Sequence, residues 1–204
     1  MSDNKRKRGL RAYRRQRQAG VTAVEVSFML GVFFLIVCGT LELARTIYIF
    51  NTLQEVTRRA ASELVKRAPA DPDSAAIVGV RRRAIFQTTG DALYLADPVT
   101  IDHVRVDYMS LVRESDGSLK RVPTSPAPTC SITNRRICMS NPNSPACVRF
   151  VRVRICTPGS SDCTRVPYQT IFPFVSFNFS LPRSSTVGTV ETFGYAPGTS
   201  LTCL

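Results

Sequence analysis

The chain has 204 residues and a formal net charge of +12 at pH 7, and this length allows one domain of ordinary size plus a membrane anchor. Residues 1–20 carry eight basic side chains against one acid, Asp3, or +7, which leaves +5 for the rest of the chain. Because the basicity is concentrated in this tail, and the body lacks a stacking-aromatic or recognition-helix pattern, the composition argues against nucleic-acid binding.

An apolar run follows the basic tail. Val21–Leu41 contains one ionisable residue, Glu25, and its 21 residues at 1.5 Å each would span about 31 Å, the hydrocarbon thickness of a bilayer. A basic flank is retained on the cytoplasmic side, so residues beyond about 45 are expected to be translocated. The pattern predicts a cytoplasmic leader over residues 1–20 and a transmembrane segment over residues 21–41.

A cleavable secretory signal is the alternative explanation of this run. Its apolar core would be shorter, and small residues of the A-x-A kind would follow it. Here the bulky and charged residues Leu41 to Arg45 follow. The sequence therefore favours an anchor that a signal peptidase leaves uncut.

The helix is predicted to continue over residues 42–68, because no proline occurs between Val21 and Pro69. An apolar stripe at helical spacing is expected to pack on the chain's own domain, and the same stripe could also meet a partner helix. The stripe consists of Leu53, Val56, Ala60 and Leu64. Glu42 and Arg45, three residues apart at the outer interface, form a candidate ion pair.

Residues 69–204 are predicted to form a periplasmic α+β domain that begins with a second helix. This helix is expected over residues 74–95, with Asp71 or Asp73 as its cap. Its predicted apolar contacts are Ile77, Val80, Ile85 and Leu93.

The pattern after Pro98 is typical of β-strands. Apolar residues recur along an extended run from Val99 to Val112, and their alternation shifts by one position at Val104. Asp116-Gly117 then predicts a hairpin turn. Further strands are expected around residues 151–155, in the aromatic-rich stretch 165–179, and over Thr186 to Phe193. Arg152 and Arg154 alternate with the apolar residues of the first of these, and we expect a solvated basic face rather than a binding site for an acidic partner. The predicted fold is a long N-terminal transmembrane and amphipathic helix packed on one antiparallel sheet, with a disulfide-rich loop.

Six of the seven cysteines lie in the translocated part, and Cys38 lies within the span. An even number of cysteines in an oxidising compartment predicts up to three disulfides, but six cysteines allow fifteen pairings. Residues 123–147, with five prolines and three cysteines, are expected to form a loop rather than a helix or strand. Cys156 and Cys163 flank a turn that a disulfide could close. The disulfide candidates are Cys130, Cys138, Cys147, Cys156, Cys163 and Cys203.

The sequence has no recognisable catalytic or metal-binding pattern. It lacks a G-x-S-x-G elbow, a phosphate-binding glycine loop and an HExxH motif. The cysteines include no C-x-x-C pair and lie far from His103, so a zinc site is disfavoured. Asp102 and His103 would point to opposite faces of a strand. We predict no catalytic residue, no metal and no cofactor, and a structural role for His103.

Glu25 breaks the usual rule for a membrane span. A carboxylate near the helix centre costs about 2.5–3.5 kcal/mol, although snorkelling to the cytoplasmic edge would reduce this cost.

The string Gly20-Val21-Thr22-Ala23-Val24-Glu25 behind a basic leader resembles the processing site of type IV-like pilins of the Flp/Tad class. The resemblance implies that a prepilin peptidase cuts after Gly20, that Val21 becomes the mature N-terminus, and that Glu25 is its fifth residue. Val26 departs from the family pattern, which usually has an aromatic residue there.

The whole N-terminal helix resembles TadE-like pseudopilins from Val24 to Gln54, and Val166–Glu191 resembles them more loosely. The resemblance implies a minor pilin or pseudopilin that acts in the assembly of Tad-type (Flp) adhesive pili at the bacterial inner membrane. Its partners would be the membrane, other Tad pilins and pseudopilins, and a prepilin peptidase, with no nucleic acid. The alternative is a single-pass membrane-anchored periplasmic binding domain unrelated to pili, which retention of residues 1–20 would favour. A membrane-tethered enzyme is the third hypothesis.

Overall fold

A long helix, α1 (Asp3–Leu64), dominates the N-terminal part of the chain. The computed structural model describes residues 3–69, 71, 74–128, 130–172, 174 and 178–194, with residues 3–20 described by their backbone only. The chain divides into two units, Met1–Arg45 with Thr170–Ser176, and Thr46–Gln169 with Phe177–Leu204.

The C-terminal end of α1 lies earlier than predicted. The helix ends at Leu64 rather than at residue 68, because the chain tightens there: Lys66 N–H donates to the Glu63 carbonyl and Arg67 N–H donates to the Leu64 carbonyl. Such bonds to the third preceding residue close the last turn of many helices. All four members of the predicted apolar stripe are buried, as expected, and Ile49 extends the stripe by one turn.

The second helix, α2 (Ala75–Ala84), is ten residues long, so the prediction of a helix to residue 95 was wrong. Phe86 has φ +63°, a left-handed conformation that cannot continue a helix. The cap is Ser74, whose Oγ accepts the Ile77 N–H at 3.5 Å, instead of Asp71; Asp73 lies outside the described residues. The four predicted apolar contacts are nevertheless all buried.

The described residues form a four-stranded antiparallel sheet in the order β2-β1-β3-β4. Its strands are β1 (Val104–Arg113), β2 (Leu119–Pro123), β3 (Phe150–Ile155) and β4 (Ser185–Thr189). A single 3₁₀ turn, Ile101–His103, precedes β1 and explains the change of phase at Val104. The predicted turn at Asp116-Gly117 joins β1 to β2, with Gly117 at φ +83°, a conformation that glycine adopts without steric cost.

The C-terminal strands are less extensive than predicted. The last strand ends at Thr189 rather than at Phe193. In the described part of the aromatic-rich stretch, pairing is limited to a bridge between Pro167 and Ser180. Tyr168 and Phe179 instead stack their rings, with centroids 4.6 Å apart, and so these two aromatic side chains pack in the core without forming a ladder.

One face of the sheet packs against the later part of α1. Val151, Val153 and Ile155 are buried and alternate with half-buried arginines, as the period of two predicted. The hydroxyl groups of Thr57 on α1 and Thr186 on β4 lie 2.9 Å apart, which links the helix to one edge strand of the sheet.

The region predicted to be a loop, residues 123–147, contains a helix, α3 (Ser131–Ser140). The five prolines lie on both sides of this helix, at positions 123, 126, 128, 142 and 145, so the intervening segment is free to become helical. Asn134 holds α3 to the chain entering β3, because its amide donates to the Val148 carbonyl at 3.1 Å and accepts the Val148 N–H at 2.8 Å. A disulfide joins Cys138 to Cys147.

Candidate functional site

The most unusual surface of the molecule is the apolar segment of α1. The part of the chain that the structure describes holds one helix long and apolar enough to cross a membrane, Val21–Leu64. Its large side chains over residues 21–36 are exposed, and Phe28 and Met29 each present 72 % of their surface. A core helix of a soluble protein would bury these side chains, because each one gains about 1.5–3 kcal/mol on leaving water. The surface therefore fits a single-pass anchor.

The polar side chains within this segment suit an apolar surrounding. Ser27 Oγ donates to the Ala23 carbonyl and Thr40 Oγ1 donates to the Val37 carbonyl, both at 2.8 Å. These bonds to the preceding turn leave neither hydroxyl unsatisfied, and an unsatisfied polar group in lipid costs several kcal/mol.

Glu25 stands apart from these hydroxyls. Its side chain is exposed, and it takes no part in the ion pairs seen among the described residues. Gly20 and Val21 lie on the same uninterrupted helix, one turn earlier. The structure thus places the three residues of the predicted processing site together, while processing itself stays a prediction.

A buried ion pair lies just beyond the predicted span. The Glu42 carboxylate accepts a hydrogen bond from Arg45 Nη1 at 3.1 Å, and the two side chains are 0 % and 8 % exposed. The backbone N–H of Ile171, 129 residues further along the chain, points at both carboxylate oxygens at 3.4 Å. The predicted pairing of Glu42 with Arg45 is therefore confirmed. The contact with Ile171 had no signal in the sequence.

The cysteines are consistent with an oxidising compartment. Disulfides join Cys138 to Cys147 and Cys156 to Cys163, and the second of these closes the predicted turn. Cys130 is also disulfide-bonded, and Cys203 lies outside the described residues. Cys38, within the apolar segment, is a free thiol.

His103 has a local structural role. Its Nδ1 accepts the backbone N–H of Thr100 at 3.0 Å and thereby holds the 3₁₀ turn before β1. Burial lowers the pKa of His103 below its ordinary value, and the charge of Asp102 opposes this shift. The imidazole is therefore neutral near pH 7, with its proton on Nε2.

The arginine row predicted on β3 is not simply solvated. Arg154 donates to Asp107 Oδ2 at 2.7 Å, and Arg152 lies 3.2 Å from the same oxygen. Arg105 approaches the other carboxylate oxygen at 3.1 Å and donates to the carbonyls of two loop residues, Ser160 and Ser161. Asp107 thus ties β1 to β3 on the face away from the core. The antiparallel register, which the sequence did not define, brings these groups together.

Comparison with known proteins bears on the N-terminal helix alone. Residues 20–62 match the family model described as TadE-like protein. This range contains the string from Val24 to Gln54 on which the resemblance was based, and the resemblance is confirmed there. The match does not reach Val166–Glu191, where the resemblance stays a prediction. No curated protein and no solved structure matches the chain significantly.

Proposed function

We propose, from the TadE-like character of its N-terminal helix, that this chain is a minor pilin or pseudopilin in the assembly of Tad-type (Flp) pili. The observation that carries the proposal is that the exposed apolar surface of α1 lies within the residues that match the TadE-like model. Such a helix can first serve as a lipid anchor and then pack between subunits, since both surroundings accept large apolar side chains.

The proposed orientation places the N-terminus in the cytoplasm and residues 69–204 in the periplasm, with the span in the bacterial inner membrane. The +7 charge of residues 1–20 supports it, because basic flanks are retained on the cytoplasmic side. The two disulfides support it independently, because such bonds persist in the periplasm and are rare in the cytosol.

Glu25 is proposed to act between subunits. Cleavage after Gly20 by a prepilin peptidase would free an ammonium group on Val21. The Glu25 carboxylate of one subunit would then meet the ammonium of a neighbouring pilin or pseudopilin. Either charge alone is penalised in an apolar surrounding, and the pairing would relieve both penalties and fix the axial register. The exposed position of Glu25 supports this role.

The proposed role is structural rather than catalytic. Three ionisable groups among the described residues have structural partners: Glu42 binds Arg45, Asp107 binds three arginines, and His103 holds a turn. No cofactor is invoked by this role.

The test is the N-terminus of the protein purified from membranes that contain a Tad-type prepilin peptidase. We expect mass spectrometry to find Val21 as the first residue. A Gly20→Leu variant should keep its leader because the cleavage site is blocked, whereas the matched Gly9→Leu variant should still be cut. An intact start at Met1 or Ser2 in the unaltered protein would contradict the proposal and favour a membrane-anchored binding domain.

A further inference from the structure

We propose that Ile171, Phe172 and Phe174 form a second membrane contact, which enters the interfacial layer of the outer leaflet where α1 leaves the lipid. These three residues are called the interfacial loop below. The occupant of its surface is phospholipid. The inference goes beyond the proposed pilin role and rests only on its membrane anchor.

The first observation is the apolar surface of the interfacial loop. Ile171 is 54 % exposed and Phe174 is 63 % exposed. The rings of Phe172 and Phe174 lie side by side, with centroids 5.7 Å apart. Single exposed apolar residues are common on soluble proteins, but two large ones within four residues, beside a paired aromatic ring, make a local apolar tip.

The second observation is the level of this tip along α1. Val21–Leu41 has the length of the bilayer hydrocarbon, so Glu42 falls at its outer edge. The Ile171 N–H lies 3.4 Å from the Glu42 carboxylate oxygens. The interfacial loop is therefore held at the depth where aromatic side chains are enriched in membrane proteins.

The third observation is that further apolar side chains are exposed at this level of the helix. Leu41 and Leu43, which flank Glu42 on the helix, are exposed apolar residues. Glu42 itself is buried and paired with Arg45. The charges that would oppose insertion are thus kept from the lipid, and Glu42 acts as a positioning residue for the loop.

The chain offers a clean reporter because it contains no tryptophan. Phe174→Trp places a single fluorophore on the tip, and Phe33→Trp places one within the span as a reference. The full-length variants are reconstituted in phosphatidylcholine vesicles whose acyl chains carry bromine near the glycerol, near the methyl end, or not at all. Soluble N-acetyltryptophanamide, mixed with the same vesicles, gives the response of an indole in water. Phe172→Trp provides an independent reporter on the same tip if Phe174→Trp does not fold.

We expect the tip reporters to lose most of their emission with the shallow bromines and less with the deep ones. The Phe33→Trp variant should be quenched in the opposite order or by both lipids. If Phe33→Trp is quenched while the tip reporters respond like N-acetyltryptophanamide, the interfacial loop is refuted and the anchor stands. If Phe33→Trp is itself unquenched, the anchor fails and the loop proposal fails with it. If the tryptophan emission of the tip reporters is blue-shifted but neither brominated lipid quenches it, the surface packs against a second copy of the chain. That result would overturn the lipid contact.

Discussion

Glu42 and Arg45 illustrate how far a single residue pair can be predicted. Their spacing indicated the ion pair, because residues three apart lie on one side of a helix. Their burial could not be predicted, since it depends on a segment 129 residues away that brings the Ile171 N–H to the carboxylate. Burial changes the energetics: removing one partner of a buried pair typically costs about 3–5 kcal/mol, whereas an exposed pair contributes about 0–1 kcal/mol.

His103 provides a test of burial at the residue scale. The pKa of this histidine is lowered by burial, so the unfolded chain binds its proton more readily than the folded chain does. Stability should therefore be greatest above about pH 6.5 and should fall as the pH drops below that value. We expect the melting temperature in detergent to decrease between about pH 7 and pH 5.5.

The matched control is His103→Asn, whose side-chain oxygen can accept the Thr100 N–H without titrating. Its melting temperature should change less over the same interval. Glu55 and Asp116, whose pKa values are lowered by hydrogen bonds from Arg59 and Ser118, respond only below their ordinary values of 4.5 and 3.8. Parallel pH profiles for the two proteins would show that His103 does not contribute.

At the scale of the elements, β4 approaches the C-terminal end of α1 closely at Gly188. A Cβ atom at this position would lie 2.7 Å from Cγ1 of Val65, the residue that follows α1, and 3.7 Å from the Ala61 carbonyl oxygen. Valine is stiff about χ1 and cannot move away at low cost. Overpacking costs about 1–3 kcal/mol, while replacing glycine within a strand gains about 0.5–1 kcal/mol. We expect Gly188→Ala to lower the free energy of unfolding by about 1–2 kcal/mol.

The double variant Gly188→Ala/Val65→Ala separates this clash from a general effect on the strand. Removing the valine methyl groups makes room for the new Cβ, so the second substitution should cost less in the Gly188→Ala background than alone. Urea unfolding of the four proteins measures this coupling. Strictly additive changes in the free energy of unfolding would refute the close approach.

Elements were predictable where their signal was local. Three features depend only on residues close together in sequence, and each is confirmed: the apolar stripe of α1, the hairpin turn at Asp116-Gly117 and the alternation in β3. The helix α3 was missed because proline content was averaged over 123–147 instead of being read position by position. The early end of α2 was missed because the residue in the left-handed conformation is Phe86, whereas glycine or asparagine usually marks such a helix end in a sequence.

At the scale of the whole molecule, the long apolar helix and the disulfides were predictable, whereas the contacts around that helix were not. Hydropathy and flanking charge depend on composition along the chain, and they define the span and its expected direction. The interfacial loop and the Asp107 network depend on contacts between distant segments. These contacts arise only when the chain has folded, so no window of sequence contains them.

The proposed orientation has a consequence for stability, which makes the topology testable. Each disulfide closes a short loop and contributes about 2.5 kcal/mol in the chain-entropy model. A chain inserted with its domain in the cytosol would therefore lose about 5 kcal/mol, a large part of an ordinary domain's stability.

We expect alkaline phosphatase fused after Leu204 to be active and green fluorescent protein at the same position to be dark. Replacing the eight basic residues of the leader with glutamine should reduce the phosphatase activity and should leave free thiols at Cys156 and Cys163 in the inverted fraction. Bright green fluorescence from the fusion that keeps the natural leader would contradict the orientation, because this fluorophore forms poorly outside the cytosol. The disulfides would then lie in a reducing compartment, where such bonds are rare.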